Sequence, residues 1–118
     1  MKKKNKKVIC FDLDGVLCST SENKYLQSRP IKKNIKLVNK LYVDGYKIKI
    51  FTARYMGRSN DNKKIATLRA KKITLNQLKL WKVKFHELIF GKPSYDIFVD
   101  DKALFFKKKW SKYLLKKI

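Results

Sequence analysis

Acidic side chains are scarce in this 118-residue chain: nine Asp and Glu stand against 31 Lys and Arg, and four of the nine close two apolar runs. Asp12 and Asp14 end the run Val8–Leu13, and Asp100 and Asp101 end Ile97–Val99. A carboxylate next to a buried strand is costly unless it is hydrogen-bonded, ion-paired or bound to a metal. The placement therefore points to a working site rather than to random surface charge. In extended chain, positions two apart project to the same side, which groups Asp12 with Asp14, and Gly15 lets the chain turn sharply after them. Ligands of parallel α/β sheets bind at the carboxyl ends of the strands, so two acidic strand ends in one small sheet predict one shared metal site. Oxygen-only ligands of this kind suit Mg²⁺, which keeps waters and takes a further ligand from a phosphate. A calcium loop would continue its acids at alternate positions, where Val16 and Leu17 intervene.

The elements that must position these groups follow from alternating apolar runs and helical patterns, which argue for βα units and a parallel sheet. Val8–Leu13 reads as a strand covered on both faces, with Cys10 as a small core residue. Residues 15–29 are polar, without a period, and read as a loop or short flap. Pro30 stands near a helix start, Ile31, Ile35, Val38 and Leu41 share one helical face, and Gly45 ends that helix. Tyr46–Phe51 is the second strand, and Thr52–Lys64 an exposed loop. Thr74 followed by Gln77 has the form of a capping box opening a helix through about Trp81. Strands are predicted near Leu88–Phe90 and at Ile97–Val99, and Ala103, Phe106, Trp110 and Leu114 mark a last helix over 103–117.

Four segments together resemble the motifs of the haloacid dehalogenase superfamily. Phe11-Asp12-Leu13-Asp14-Gly15-Val16 is similar to its first motif, Ile50-Phe51-Thr52-Ala53-Arg54 to the second, Gly91-Lys92-Pro93 to the third and Ile97-Phe98-Val99-Asp100-Asp101 to the fourth. They occur in the family's order and span residues 8 to 101. The resemblance implies one three-layer, Rossmann-like α/β domain over 1–118, with a mostly parallel sheet of about four to five strands and no cap domain. It implies a phosphatase in which Asp12 is the nucleophile and forms an aspartyl-phosphate. Asp14 would be the acid and base, while Thr52, Ala53, Arg54 and Lys92 would contact the phosphoryl group. Mg²⁺ would be held by Asp12, the backbone carbonyl of Asp14 and Asp100, with Asp101 orienting a metal-bound water or Lys92. The stretch Leu75–Asp101 resembles small phosphatases of capsule and surface-polysaccharide synthesis, which implies a small phosphorylated metabolite as substrate. A receiver-type phosphoacceptor domain is excluded by order, because here the acidic pair follows Lys92.

The net charge of +22 attracts polyanions, so a polynucleotide-end phosphatase, or a non-catalytic nucleic-acid-binding module on the same fold, is the alternative. Arg occurs at positions 29, 54, 58 and 69, leaving 27 of the 31 basic residues as Lys. The densest clusters, Lys2–Lys7 and Lys107–Lys117, read first as solvated ends. Arg54 and Arg58 flank the expected phosphate site as a second anion grip or as solvated loop residues. His86, the single His, precedes a strand and reads as structural. Cys10 and Cys18 make no disulfide framework, and no run reaches membrane-spanning length, so a reducing cytoplasm is the expected compartment. With no cap, specificity would come from the 15–29 loop, the 53–64 loop or a neighbouring subunit in a homo-oligomer.

Overall fold

The computed structural model describes residues 6–118; most of the N-terminal basic segment, residues 1–5, lies outside the described part. Three parallel strands, β1 (Val8–Asp12), β4 (Lys47–Thr52) and β5 (Glu87–Phe90), form the main sheet in the order β1-β4-β5. The register Ile9↔Ile48, Phe11↔Ile50 and Ile50↔Leu88 lines one apolar row across it. Helices α1 (Lys32–Val43), α2 (Lys63–Leu80) and α3 (Trp110–Lys117) complete the fold, and Ile35, Val38, Leu41, Leu78, Trp110 and Leu114 join that row in one core. Between β1 and α1, a two-stranded antiparallel ladder of β2 (Cys18–Ser19) and β3 (Arg29–Pro30) makes the short flap expected over 15–29.

The helix ends explain the boundaries. Gly45, at φ +102°, follows the α1 cap, and the N–H groups of Gly45 and Tyr46 donate to the carbonyls of Tyr42 and Leu41. This paired bonding is the Schellman termination that a glycine at this position favours. At the end of α2 the same two bonds recur, from Lys82 to Lys79 and from Val83 to Leu78, with Lys82 at φ +57° in the glycine position.

Four sequence expectations are corrected. The helix expected to open at Thr74 begins at Lys63, capped by Asn62, whose side chain accepts the Ile65 N–H. Its buried line is Ala66, Ala70, Thr74 and Leu78, whereas Ile65, Leu68, Leu75 and Leu80 are exposed. Small residues on the buried face and leucines on the outer one conceal the period that apolar size would reveal. The last helix is shorter than 103–117. Ile97–Val99 is not a strand: it is irregular, with Ile97 82% and Val99 91% exposed. The main sheet thus has three strands rather than four to five, and β1 is an edge with a neighbour on one side only among the described residues.

Cys10 consequently lies on the exposed row of β1, with Val8, instead of in the core, while Cys18 is buried. Burial, and then the Asp14 charge beside it, pushes the Cys18 thiol up to about 11. At pH 8 only about one molecule in a thousand would carry that thiolate, the reactive form. Iodoacetamide at pH 8, followed by peptide mass spectrometry, should modify Cys10 and spare Cys18 in the folded protein, and modify both in urea.

Candidate active site

Parallel pairing sets the carboxyl ends of the strands side by side, with Asp12 opposite Phe51 and Thr52 opposite Phe90. The chain leaves β5 through Gly91 at φ +91°. The Lys92 N–H then donates to the Thr52 carbonyl at 3.2 Å, turning the Lys92 side chain back toward β1. Its Nζ lies 3.4 Å from Asp12 Oδ2, with the Lys92 side chain only 11% exposed. Asp12 Oδ1 accepts the Leu13 N–H at 2.8 Å. Asp12, Thr52 and Lys92, drawn from three sequence motifs, therefore meet at one end of the sheet.

Burial raises the Asp12 carboxyl above the ordinary carboxylate value; the Lys92 charge and the Leu13 N–H pull the other way without overcoming it. For Lys92, burial is the largest influence and acts downward, but a hydrogen bond with Tyr95 and the Asp12 charge outweigh it and leave the ammonium raised. Tyr95 and Phe98, themselves stacked at 5.0 Å, each place a ring 5.4 Å from Lys92 Nζ. Thr52 is buried, and its Oγ1 accepts the Arg54 N–H at 3.1 Å. That bond leaves the hydroxyl proton available to an anion.

Arg54 is placed differently from either sequence expectation. It is 1% exposed, and its guanidinium is directed at Asp14: Nε is 3.0 Å from Oδ2 and Nη2 3.0 Å from Oδ1. Nη1 donates to Gln77 Oε1 at 2.6 Å and Thr74 Oγ1 at 3.2 Å, and Nη2 also reaches Ser28 Oγ at 3.3 Å. Asp14 Oδ1 further accepts from Thr20 Oγ1 at 2.5 Å and the Cys18 thiol at 3.4 Å. Arg54 holds Asp14; it does not reach outward to a substrate. Thr20, Ser28, Thr74 and Gln77, which the sequence reading assigned to a flap or a helix cap, form this cradle. The one available signal was the polar composition of the flap. Ala53 lies between the two groups, half-buried, its carbonyl accepting the Met56 N–H.

Asp100 and Asp101 are not brought to this place. Both are exposed in the irregular segment after Val99, and Asp100 Oδ1 accepts the Lys102 N–H at 2.9 Å. Among the described residues no group of three or more His, Cys, Asp or Glu could hold a metal ion, and Asp100, an expected ligand, lies apart from Asp12 in the exposed segment. As arranged, the donor set does not fit the expected Mg²⁺ site. His86 is structural: its Nδ1 accepts the Ile48 N–H at 3.0 Å and its ring stacks on Tyr42 at 4.4 Å.

The fold resembles solved structures. A structural-genomics target from Vibrio cholerae superposes with a TM-score of 0.77 at 24% identity, covering 94% of this chain and 98% of that one. Two structures of the Pnkp1/Rnl/Hen1 complex, one described as an RNA repair complex, give TM-scores of 0.55 and 0.53 at 19% and 14% identity. They match 97% and 99% of this chain, which spans only 35% and 33% of theirs. No family model matches the chain, and no curated protein does. At these identities the likeness is one of fold. Among the described residues no helix is long and apolar enough to cross a membrane.

Two stability predictions follow from the site. Breaking a buried ion pair from one side costs about 3–5 kcal/mol. Asp14 retains some access to water, so Arg54→Ala should fall near the lower end, about 3 kcal/mol, in urea denaturation. For Asp12 the folded value lies above the unfolded one. The folded state therefore holds the proton to higher pH, and stability is lost as pH rises through that window. The stability of Asp12→Asn relative to wild type should accordingly increase from pH 3 to neutrality and then level off, read by thermal melts across that range.

Proposed function

We propose that the chain is a phosphomonoester hydrolase acting through an aspartyl-phosphate on Asp12. The observation that carries this reading is the meeting of Asp12, Thr52 and Lys92 at the carboxyl end of the sheet, with Asp14 separately clamped two residues on. Lys92 sustains the ionised, nucleophilic form of Asp12 against burial. Asp12 Oδ attacks phosphorus, forming one P–O bond as the bond to the leaving alcohol breaks. Asp14, once released from its pairing with Arg54 and protonated, would supply the proton to that alcohol oxygen. A water then attacks the aspartyl-phosphate, giving its proton to Asp14, and phosphate leaves. The Thr52 hydroxyl and the Lys92 ammonium donate to the phosphoryl oxygens, the electrostatic positioning that phosphoryl transfer depends on.

Mg²⁺ belongs to the proposal as the expected cofactor, which would neutralise phosphoryl charge when bound. Bringing Asp100 to Asp12 would require Ile97–Val99 to leave its exposed position. An apolar run in water and an unpaired edge on β1 are the two halves of a ladder that would do this, as the fourth strand expected from the sequence.

For the substrate, the fold likeness to a chain of an RNA repair complex, the uncapped site and the net charge of +22 favour a phosphorylated nucleic-acid end. A small metabolite of surface-polysaccharide synthesis rests on the sequence resemblance around Gly91-Lys92-Pro93. Phosphate release from phosphorylated oligonucleotides and from sugar phosphates decides between them. In the same assay Asp12→Asn should lower turnover by about a thousandfold or more, and EDTA should abolish it reversibly. Turnover retained in Asp12→Asn would remove Asp12 as nucleophile. A folded wild-type protein that binds oligonucleotide without releasing phosphate would favour a binding module.

A further inference from the structure

Arginine is rare in this chain, at four positions among 31 basic residues, and three of the four meet at two tyrosine rings. Arg54 lies over Tyr25 at 5.0 Å, and Tyr25 packs on Tyr55 at 4.9 Å. Arg58 lies 5.2 Å from each of the Tyr25 and Tyr55 rings, and Arg69 is 5.2 Å from Tyr55. Where a bare positive charge suffices, this sequence uses lysine. A guanidinium differs by its planar fork, which stacks on an aromatic face and leaves its edge for bidentate contact with phosphate.

Arg54 has its anion in Asp14. Arg58 and Arg69 have none: no carboxylate pairs with either among the described residues, and both side chains belong to exposed positions. Each is nevertheless held in place by a neutral acceptor. Arg58 Nη2 donates to the Asn23 carbonyl, and Arg69 Nη1 to Ser59 Oγ at 3.3 Å. These bonds fix the forks without neutralising them and use one nitrogen of each. The loop that carries Arg58 holds Tyr55, Asn60 and Asp61 at φ +64°, +51° and +57°. Asn and Asp visit that conformation readily, whereas for a bulky residue such as Tyr55 it costs roughly 1–2 kcal/mol.

We propose that Arg58 and Arg69, stacked on Tyr55 beside Arg54, form a second anion site that takes an internucleotide phosphate of a single-stranded nucleic acid whose terminal phosphate lies at Asp12. The inference rests on the phosphatase reading for the terminal phosphate and adds the grip that selects a polymer over a monomer. A lone phosphomonoester has no group for this second site, whereas a strand entering an open site lays its next phosphates along the surface. Arg58 thereby acquires a use that its sequence position left open, and Arg69, 15 residues beyond Arg54, acquires one as well.

The test uses Asp12→Asn protein, so that binding is read without turnover, and a fluorescent single-stranded oligonucleotide with a terminal phosphate. Arg58→Ala with Arg69→Ala should weaken binding by about tenfold or more at moderate salt. It should also reduce the slope of log affinity against log salt by about 0.7, the value for the one single-strand phosphate that the pair binds. Lys116→Ala with Lys117→Ala removes the same charge at the far end of β1, where Lys7 Nζ donates to the Lys117 carbonyl, and should change the affinity by less than about threefold. Arg58→Lys with Arg69→Lys keeps the charge and guards against a folding defect. It should retain the slope yet lose several-fold in affinity, because the fork and its stacking are gone. Equal losses in the two alanine pairs, or full affinity in the lysine pair, would overturn the proposal by reducing the site to diffuse charge. Because binding is measured in the inactive variant, absence of phosphate release from wild type would count against the phosphatase reading and leave this result intact.

Discussion

A guanidinium withdrawn almost wholly from water must find acceptors on every side, and the organisation around Asp14 follows from that demand. Desolvating such an ion costs several kcal/mol. Arg54 meets the cost with Asp14 from the turn after β1, Ser28 from the flap and Thr74 and Gln77 from α2. These acceptors come from segments far apart in sequence, so satisfying one side chain fixes the mutual placement of all of them. Gln77 extends the linkage, donating through Nε2 to the Tyr25 carbonyl at 2.6 Å. The orientation of Asp14 is thus a property of the packed domain rather than of its own short loop.

Asp12 is governed by the opposite circumstance. It keeps partial contact with water, and one flexible ammonium stands opposite it, covered by Tyr95 and Phe98 from the irregular stretch after Pro93. The rigid half of the site, Asp14 with Arg54, belongs to the core. The adjustable half, Asp12 with Lys92, belongs to an edge strand and to a segment without regular structure. In the proposed phosphoryl transfer such a division would let Asp12 and Lys92 accept an incoming anion beside a firmly placed Asp14.

The features most legible in the sequence are those written in local pattern. The strand runs at Val8, Tyr46 and Leu88 are where period and β-branching place them, and Gly45 ends α1 because a left-handed terminus favours glycine. Asp12 is legible from its position at a strand end and Thr52 and Lys92 only through the motif resemblance, and the parallel register brings the three together. What escaped the sequence depends on contacts between distant residues. Thr74 carries the signature of a helix start, yet it serves as a mid-helix acceptor for Arg54. No sequence window contains both residues. Arg54 looks like a loop cation because nothing nearby announces its burial. Cys10 looks like a core residue because its run is apolar, but only one face of β1 is covered. Ile97–Val99 has the composition of a strand and lies unpaired, so composition alone did not decide pairing.

Among the described residues β1 has an open edge, and on a strand as apolar as Val8–Phe11 such an edge offers backbone donors and acceptors to any extended chain, including another copy of this protein. The lysine excess opposes that encounter, since molecules each carrying +22 repel one another over about 10 Å at moderate ionic strength. Colloidal stability is therefore lent by the same charge that draws in polyanions. A bound polyanion would neutralise the repulsion just where copies of the chain are gathered along one strand. If the proposed polyanionic substrate binds, condensation of the two, strongest near charge balance and dispersed by either component in excess, would follow from this construction.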